Sequence, residues 1–196
     1  MNTIEKRHKQ TEKLVLMALF TALVAVLSYF GGFVKIGGLA SVSLTLIPVV
    51  LGAALNGPIA GAWLGAVSGA VFFMTGDAAF WLSLSIPGTI ITVMIKGLAS
   101  GLLAGLAYRI LEKFNRYLAV IVSAVVCPVV NTGIFLLGCL IFFMDAVNSG
   151  AAAEGMGTGA YLIIFFVGLN FVFELLLNVL ISPAILRVIN IKKKQN

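Results

Sequence analysis

Charge is scarce in this sequence. Asp, Glu, Lys and Arg make up 10% of the 196 residues, against 61% hydrophobic, and the mean hydropathy is +1.12. Soluble domains carry about 25% charged residues. A chain this apolar holds more nonpolar side chain than one small water-soluble core buries, and no large soluble domain fits beside its apolar runs. Histidine occurs once, as His8 in a basic stretch. The two cysteines, Cys127 and Cys139, lie in one apolar run, too far apart along a helix to bridge. No His/Cys spacing of metal-site type exists, so no metal is expected and both thiols read as buried. The motifs GxxxxGK[ST], HExxH, GxSxG and CxxC are all missing. Phosphate-loop ATP binding and the familiar metal- and serine-based hydrolases therefore lack their signatures. The chain is read as non-enzymatic and cofactor-free. No inverted repeat is visible, which weakens a self-sufficient secondary transporter.

Glycine, in contrast, is abundant and periodic. Gly57, Gly61, Gly65 and Gly69 recur every fourth residue, as do Gly97, Gly101 and Gly105. Residues four apart share a helix face. A glycine face lets a second helix approach backbone to backbone, which drives association in lipid, where the hydrophobic effect between helices is absent. The expected fold is an all-α integral membrane protein, a compact bundle of six transmembrane helices.

Six apolar runs divide the chain: about 13–30, 44–55, 58–74, 86–108, 117–144 and 161–189. The second is short for a span and carries Pro48, and the turn Asn56-Gly57-Pro58 makes it a helical hairpin with the third. Residues 31–43, 75–85 and 145–160 read as loops. Residues 1–12 and 190–196 read as basic cytoplasmic tails around a membrane domain at 13–189. The basic start before an apolar run is similar to a signal peptide, but no clear small-x-small cleavage site follows, so an uncleaved first span is expected.

Of the 13 basic residues, all but Lys35 and Lys96 flank the runs on one side when both termini are cytoplasmic. The cluster Arg109, Lys113 and Arg116 between the fourth and fifth runs then lies inside with both tails. This is the positive-inside pattern. Its membrane-flanking placement also argues against nucleic acid as the partner of the net +6 charge.

Lys96 stands mid-way along the fourth run and Glu174 mid-way along the sixth, where Asn170, Glu174 and Asn178 share a face. Asn131 lies three residues after Pro128 in the fifth. Charged groups inside a bilayer are costly and so face the interior, pair, or bind a substrate. A Lys96–Glu174 pair with asparagines as interhelical glue and a polar ligand pocket are both open readings, and the two are compatible. Tyr29, Phe30, Phe33, Phe80, Trp81 and Tyr161 gather near the outer ends of the runs, as interfacial anchors or as a stacking surface for a ligand. Lys96, Asn131, Asn170, Glu174, Tyr29, Phe33 and Trp81 form the expected binding set.

Three stretches resemble a known family. The first run carries Ala18-x-x-x-Ala22. The hairpin reads Leu46-Ile-Pro-Val-Val-Leu-Gly-Ala-Ala-Leu-Asn-Gly-Pro-Ile-Ala-Gly-Ala-Trp-Leu-Gly-Ala. The fifth run holds Cys127-Pro-Val-Val-Asn-Thr-Gly-Ile-Phe. Together with the size, the basic tail and the six runs, they make the chain similar to the substrate-binding S components of energy-coupling-factor (ECF) vitamin transporters. The resemblance implies a bacterial plasma-membrane subunit that binds a water-soluble vitamin near its outer side. It implies docking through Ala18 and Ala22 on a membrane coupling subunit driven by two cytoplasmic ATPases, then toppling to release the vitamin inside. The branch it looks closest to is the pantothenate type, with pyridoxine-like compounds, riboflavin and thiamine-related compounds as alternatives. A carboxylate would partner Lys96, whereas neutralisation of Lys96 by Glu174 would favour a neutral or cationic vitamin. A stand-alone small-molecule transporter and a ligand-free assembly protein are the competing classes.

Overall fold

The computed structural model describes residues 3–31 and 44–195, and the expectations placed on Phe33 and Lys35 lie outside them. Every regular element among the described residues is helical. The chain runs through α1 (Thr3–Gly31), α2 (Leu46–Asn56), α3 (Pro58–Phe72), α4 (Gly76–Leu84), α5 (Ile86–Leu111), α6 (Arg116–Phe142), α7 (Met144–Ala153) and the single turn α8 (Thr158–Tyr161). A π-helix (Leu162–Val167) and α9 (Gly168–Gln195) complete it.

Local chemistry sets the breaks. Gly57 adopts φ 96°, a conformation that disfavours a side chain, and Pro58 follows at the start of α3, where its missing N–H costs no hydrogen bond. Ser85 accepts from the Gly88 amide to cap α5, and the Asn115 side chain accepts from the Tyr117 and Leu118 amides to cap α6. The turn between α5 and α6 is therefore only four residues, shorter than the basic loop expected from the sequence. The sixth apolar run is not one helix. It opens as a π-helix and restarts at Gly168, with φ 23°.

The protein is a multi-pass membrane protein. Four helical stretches are long and apolar enough to cross a bilayer: Gln10–Phe30, Ile86–Leu111, Arg116–Phe142 and Phe171–Ile191. Helices α2 and α3 have 11 and 15 residues, or roughly 16 and 22 Å at 1.5 Å per residue. Each falls short of a hydrocarbon core of about 30 Å. Apolar side chains point outward in quantity, with Ile59, Phe114 and Leu180 each more than 70% exposed, as expected of a surface facing lipid rather than water.

Two of the stretches read as loops contain helix. Residues 76–84 form α4 and residues 144–153 form α7. Glycine, aspartate, asparagine and serine in these stretches point to turns, but their alanines favour helix and tertiary packing decides for it. Trp81 of α4, Val147 and Ala151 of α7 and Tyr161 of α8 are buried with Cys139 and Phe143 in one cluster. A larger cluster occupies the rest of the bundle, built from residues of α1, α2, α3, α5, α6 and α9, including Val24, Val50, Leu64, Tyr108, Val120 and Ile189.

The glycine stripes meet face to face between α3 and α5. A Cβ on Gly65 would collide with the Gly97 carbonyl oxygen, and a Cβ on Gly101 with the Gly61 carbonyl oxygen; the reciprocal substitutions collide likewise. Gly105 sits against the Pro58 backbone. Gly57 is not part of this contact and serves the turn instead. The obstructing atoms are backbone and cannot rotate away. We expect Gly65→Val or Gly97→Val to destabilise the protein by about 3 kcal/mol or more, read as a lowered Tm of the detergent-purified chain. Gly133→Ala, whose Cβ meets nothing within 4 Å, should leave the Tm unchanged or slightly raised.

Candidate functional site

The glycine contact ends in a cavity. Its volume is about 60 Å³, room for roughly four to six water molecules. It lies where α1 ends and α2 begins, and residues on both sides of the 32–43 segment, Leu27, Ser28, Leu44 and Thr45, line it. Gly65, Ser68, Gly69 and Phe72 of α3 form one wall; Val93, Lys96, Gly97 and Ser100 of α5 form the next; Asn131 of α6 closes a third side. On each of the first two walls the lining positions follow the i, i+3, i+4, i+7 pattern of one helix face. The flat glycine positions of both helices thus become the cavity's sides.

The lining is polar for a membrane interior. The Ser28 hydroxyl donates to Ser68 Oγ at 3.1 Å, and the Thr45 and Ser68 hydroxyls share a bond of 3.2 Å. Three hydroxyls on α1, the α2 approach and α3 are therefore tied in one network. Ser100 Oγ donates to the Gly97 carbonyl at 2.9 Å, and Thr75 Oγ1 to the Phe72 carbonyl at 2.7 Å. Lys96 is the only formally charged side chain among the described lining residues. Its ammonium lies 5.5 Å from the Phe72 ring centroid and 5.1 Å from that of Phe135, within cation–π range of both.

The site residues expected from the sequence separate into groups. Lys96 and Asn131 come together in the cavity wall. Glu174 is buried on α9 and is not among the lining residues. One and two turns on, Asn178 Nδ2 donates to the Glu174 carbonyl at 2.8 Å and Ser182 Oγ to the Asn178 carbonyl at 2.9 Å. Both side chains are buried, and Asn178 Oδ1 has no hydrogen-bond partner among the described residues. Asn170 sits in the first turn of α9. Trp81 is buried but outside the cavity, with its ring edge-on to Phe135 at 5.2 Å and to Phe143 at 5.2 Å. Tyr29 is half exposed beside Phe30. Ala18 and Ala22 are exposed on α1, on a side that also presents Leu14, Val15, Leu19 and Val26.

The reading from sequence missed Ser28, Thr45, Ser68, Phe72, Ser100 and Phe135. A signal for two of them was present. Ser68 falls between Gly65 and Gly69 on the glycine face, and Ser100 lies one turn beyond Lys96.

A family model described as the ECF transporter, substrate-specific component, matches residues 12–186. No curated protein matches the chain. The match covers nearly the whole sequence, and the chain belongs to this family. Substrate-specific components are transport subunits that bind a small molecule and work with the other ECF subunits.

Ser68 holds the hydroxyl network together, because both other hydroxyls contact it. Ser68→Ala should cost about 1–2 kcal/mol of stability by leaving two hydroxyls without a partner. Ser83→Ala, which removes an exposed hydroxyl bonded to its own helix, should cost less than about 0.5 kcal/mol. Thermal unfolding of the two variants in detergent checks the difference.

Proposed function

We propose, from this membership of the ECF substrate-specific components, that the chain is the high-affinity vitamin-binding subunit of an ATP-driven importer in the bacterial plasma membrane. Both termini are cytoplasmic in this reading. The cavity end of the bundle then faces outward, and the basic residues Arg109, Lys113, Arg116 and Arg187 flank the opposite, cytoplasmic end. The observation that carries the reading is a polar, lysine-bearing cavity inside a largely apolar bundle. Such a site is expensive to maintain in a membrane unless a ligand uses it.

The lining chemistry favours a carboxylate that also carries hydroxyl or amide groups. Lys96 attracts the carboxylate. Asn131 offers both a donor and an acceptor. Ser28, Thr45, Ser68 and Ser100 offer hydroxyls. Phe72 is the only aromatic among the described lining residues, which gives a flat ring little to stack on. Pantothenate has one carboxylate, one amide and two hydroxyls, and it is our leading candidate. Asn170, Glu174, Tyr29 and Phe33 are proposed as further members of the binding set, and Trp81 as a member that acts through a neighbouring side chain rather than by contact.

Delivery follows from the other face. The stretch Gln10–Phe30 of α1 is the least embedded of the four long spans, with 11% of it buried against 39% for Ile86–Leu111. Small side chains at Ala18 and Ala22 on that exposed side permit a close and reversible contact. We assign them to docking on the membrane coupling subunit, which two cytoplasmic ATPases drive. The subunit then topples as a body and releases the vitamin inside.

Pantothenate should raise the Tm of the purified chain in proportion to RT ln(1 + [L]/Kd), while a panel of ring-bearing vitamins should not. Absence of a shift with pantothenate removes it as the substrate. Lys96→Met, which keeps the stem and removes the charge, should weaken binding by at least about tenfold, measured by titration calorimetry; unchanged affinity would remove Lys96 from the site. Ala18→Trp with Ala22→Trp should abolish ATP-dependent uptake and copurification of the partner subunits while binding survives. Retained uptake would refute the docking face.

A further inference from the structure

The long stem of a lysine lets its ammonium occupy many positions, and fixing one of them costs rotamer entropy. In this protein the Lys96 ammonium lies near two ring faces, Phe72 in the cavity wall and Phe135 of α6 outside it. Phe135 is itself supported. The Trp81 ring meets it at 85° and 5.2 Å, and Trp81 in turn packs on Phe143 at 64°. The Trp81 carbonyl accepts from Thr89 Oγ1 of α5 at 2.7 Å, so α4 is pinned to the helix that carries Lys96. The row Trp81–Phe135–Lys96–Phe72 thus runs from the buried cluster under α4 and α7 into the cavity.

A ring face attracts an ammonium through its quadrupole but carries no net negative charge. It therefore holds the group in place without neutralising it. A cation held this way keeps its charge for an incoming anion, and part of the ordering is complete before binding. We propose that Phe135, braced by Trp81, is a positioning residue that aims the Lys96 ammonium into the cavity and so sets a preference for an anionic over a neutral ligand. This rests on the reading of the cavity as the ligand site. It gives Trp81 a part different from the stacking contact expected from the sequence: it acts through Phe135 rather than on the ligand.

The test compares acids with their amides on the full chain in detergent: pantothenate with pantothenamide, nicotinate with nicotinamide, and biotin with biotinamide. The wild type should bind one acid more tightly than its amide. Phe135→Leu should weaken the acid by about tenfold and leave the amide unchanged, whereas Phe135→Tyr should keep the preference. Trp81→Leu should lower the preference in the same direction by a smaller factor. Should Phe135→Leu fail to fold, Phe135→Met carries the same comparison. A purely structural role would lower the Tm and weaken acid and amide alike, and that result, or a full acid preference in the Leu or Met variant, overturns the proposal. A wild type with no acid preference in any pair overturns the carboxylate site itself and this inference with it. The two failures are distinguishable, because the second appears before Phe135 is altered.

Discussion

The close approach of α3 and α5 constrains the rest of the molecule. Where Gly61 meets Gly101 and Gly65 meets Gly97, the two backbones touch without intervening side chains. Lipid tails compete with any apolar side chain for contact, so two leucine-faced helices gain little by pairing in a bilayer. Glycine faces gain dispersion contact over a long strip and exclude lipid altogether. The same contact solves the length problem of the hairpin. Helices α2 and α3 are individually short for a membrane, but α3 lies along the 26-residue α5 and α2 packs on both. The pair is thus carried by a helix of full spanning length.

The cavity follows from the way this contact opens. Toward the end of α3 the facing residues change from Gly61 and Gly65 to Ser68, Gly69 and Phe72, and on α5 from Gly101 and Gly97 to Lys96 and Val93. Larger side chains spread the helices, and polar ones occupy the space. Each hydroxyl brought into that space needs a partner, because an unpaired polar group in a dry interior costs on the order of 1–3 kcal/mol. Ser28, Thr45 and Ser68 meet the need with each other, and Ser100 with a backbone carbonyl. Lys96 is balanced differently, by two aromatic faces. Hydroxyls paired this way and an ammonium held by rings can exchange partners with a ligand at small cost, since few strong bonds must break first.

The bundle class, the glycine faces, the Asn56-Gly57-Pro58 turn and the fifth run with its internal Pro128 were all legible in the sequence, because each rests on period or on backbone geometry local to a few residues. That Lys96 and Asn131 share a cavity wall was legible for a related reason: a polar group deep in an apolar run has few destinations. The helices α4 and α7 were not legible. Their Gly, Asp, Asn and Ser signal turns while their alanines favour helix, and burial of Trp81, Val147 and Ala151 under the bundle's end decides for helix. Ser28 and Thr45 were hidden for a different reason. Their partners are 40 and 23 residues away, and no periodicity links residues on separate helices. Trp81 was read as an interfacial anchor or a ligand-stacking residue on a loop, yet it is buried on a helix, packed against Phe135 and Phe143.

Rigidity and weak attachment are distributed unequally, and the distribution bears on how such a subunit works. Helices α3 and α5 interlock through backbone contact, and α6 joins α5 at Gly138, where the Thr92 side chain fits because glycine leaves the space open. These helices resist internal change. Helix α1 touches the body along a narrow strip around Phe20 and Val24 and leaves most of its surface outward. It nevertheless reaches the cavity through Leu27 and Ser28, and the Ser28–Ser68 bond joins it to the rigid part. Among the four long spans, the one with the most open surface therefore also has a direct polar link to the cavity, and the exposed side that carries Ala18 and Ala22 belongs to that same helix.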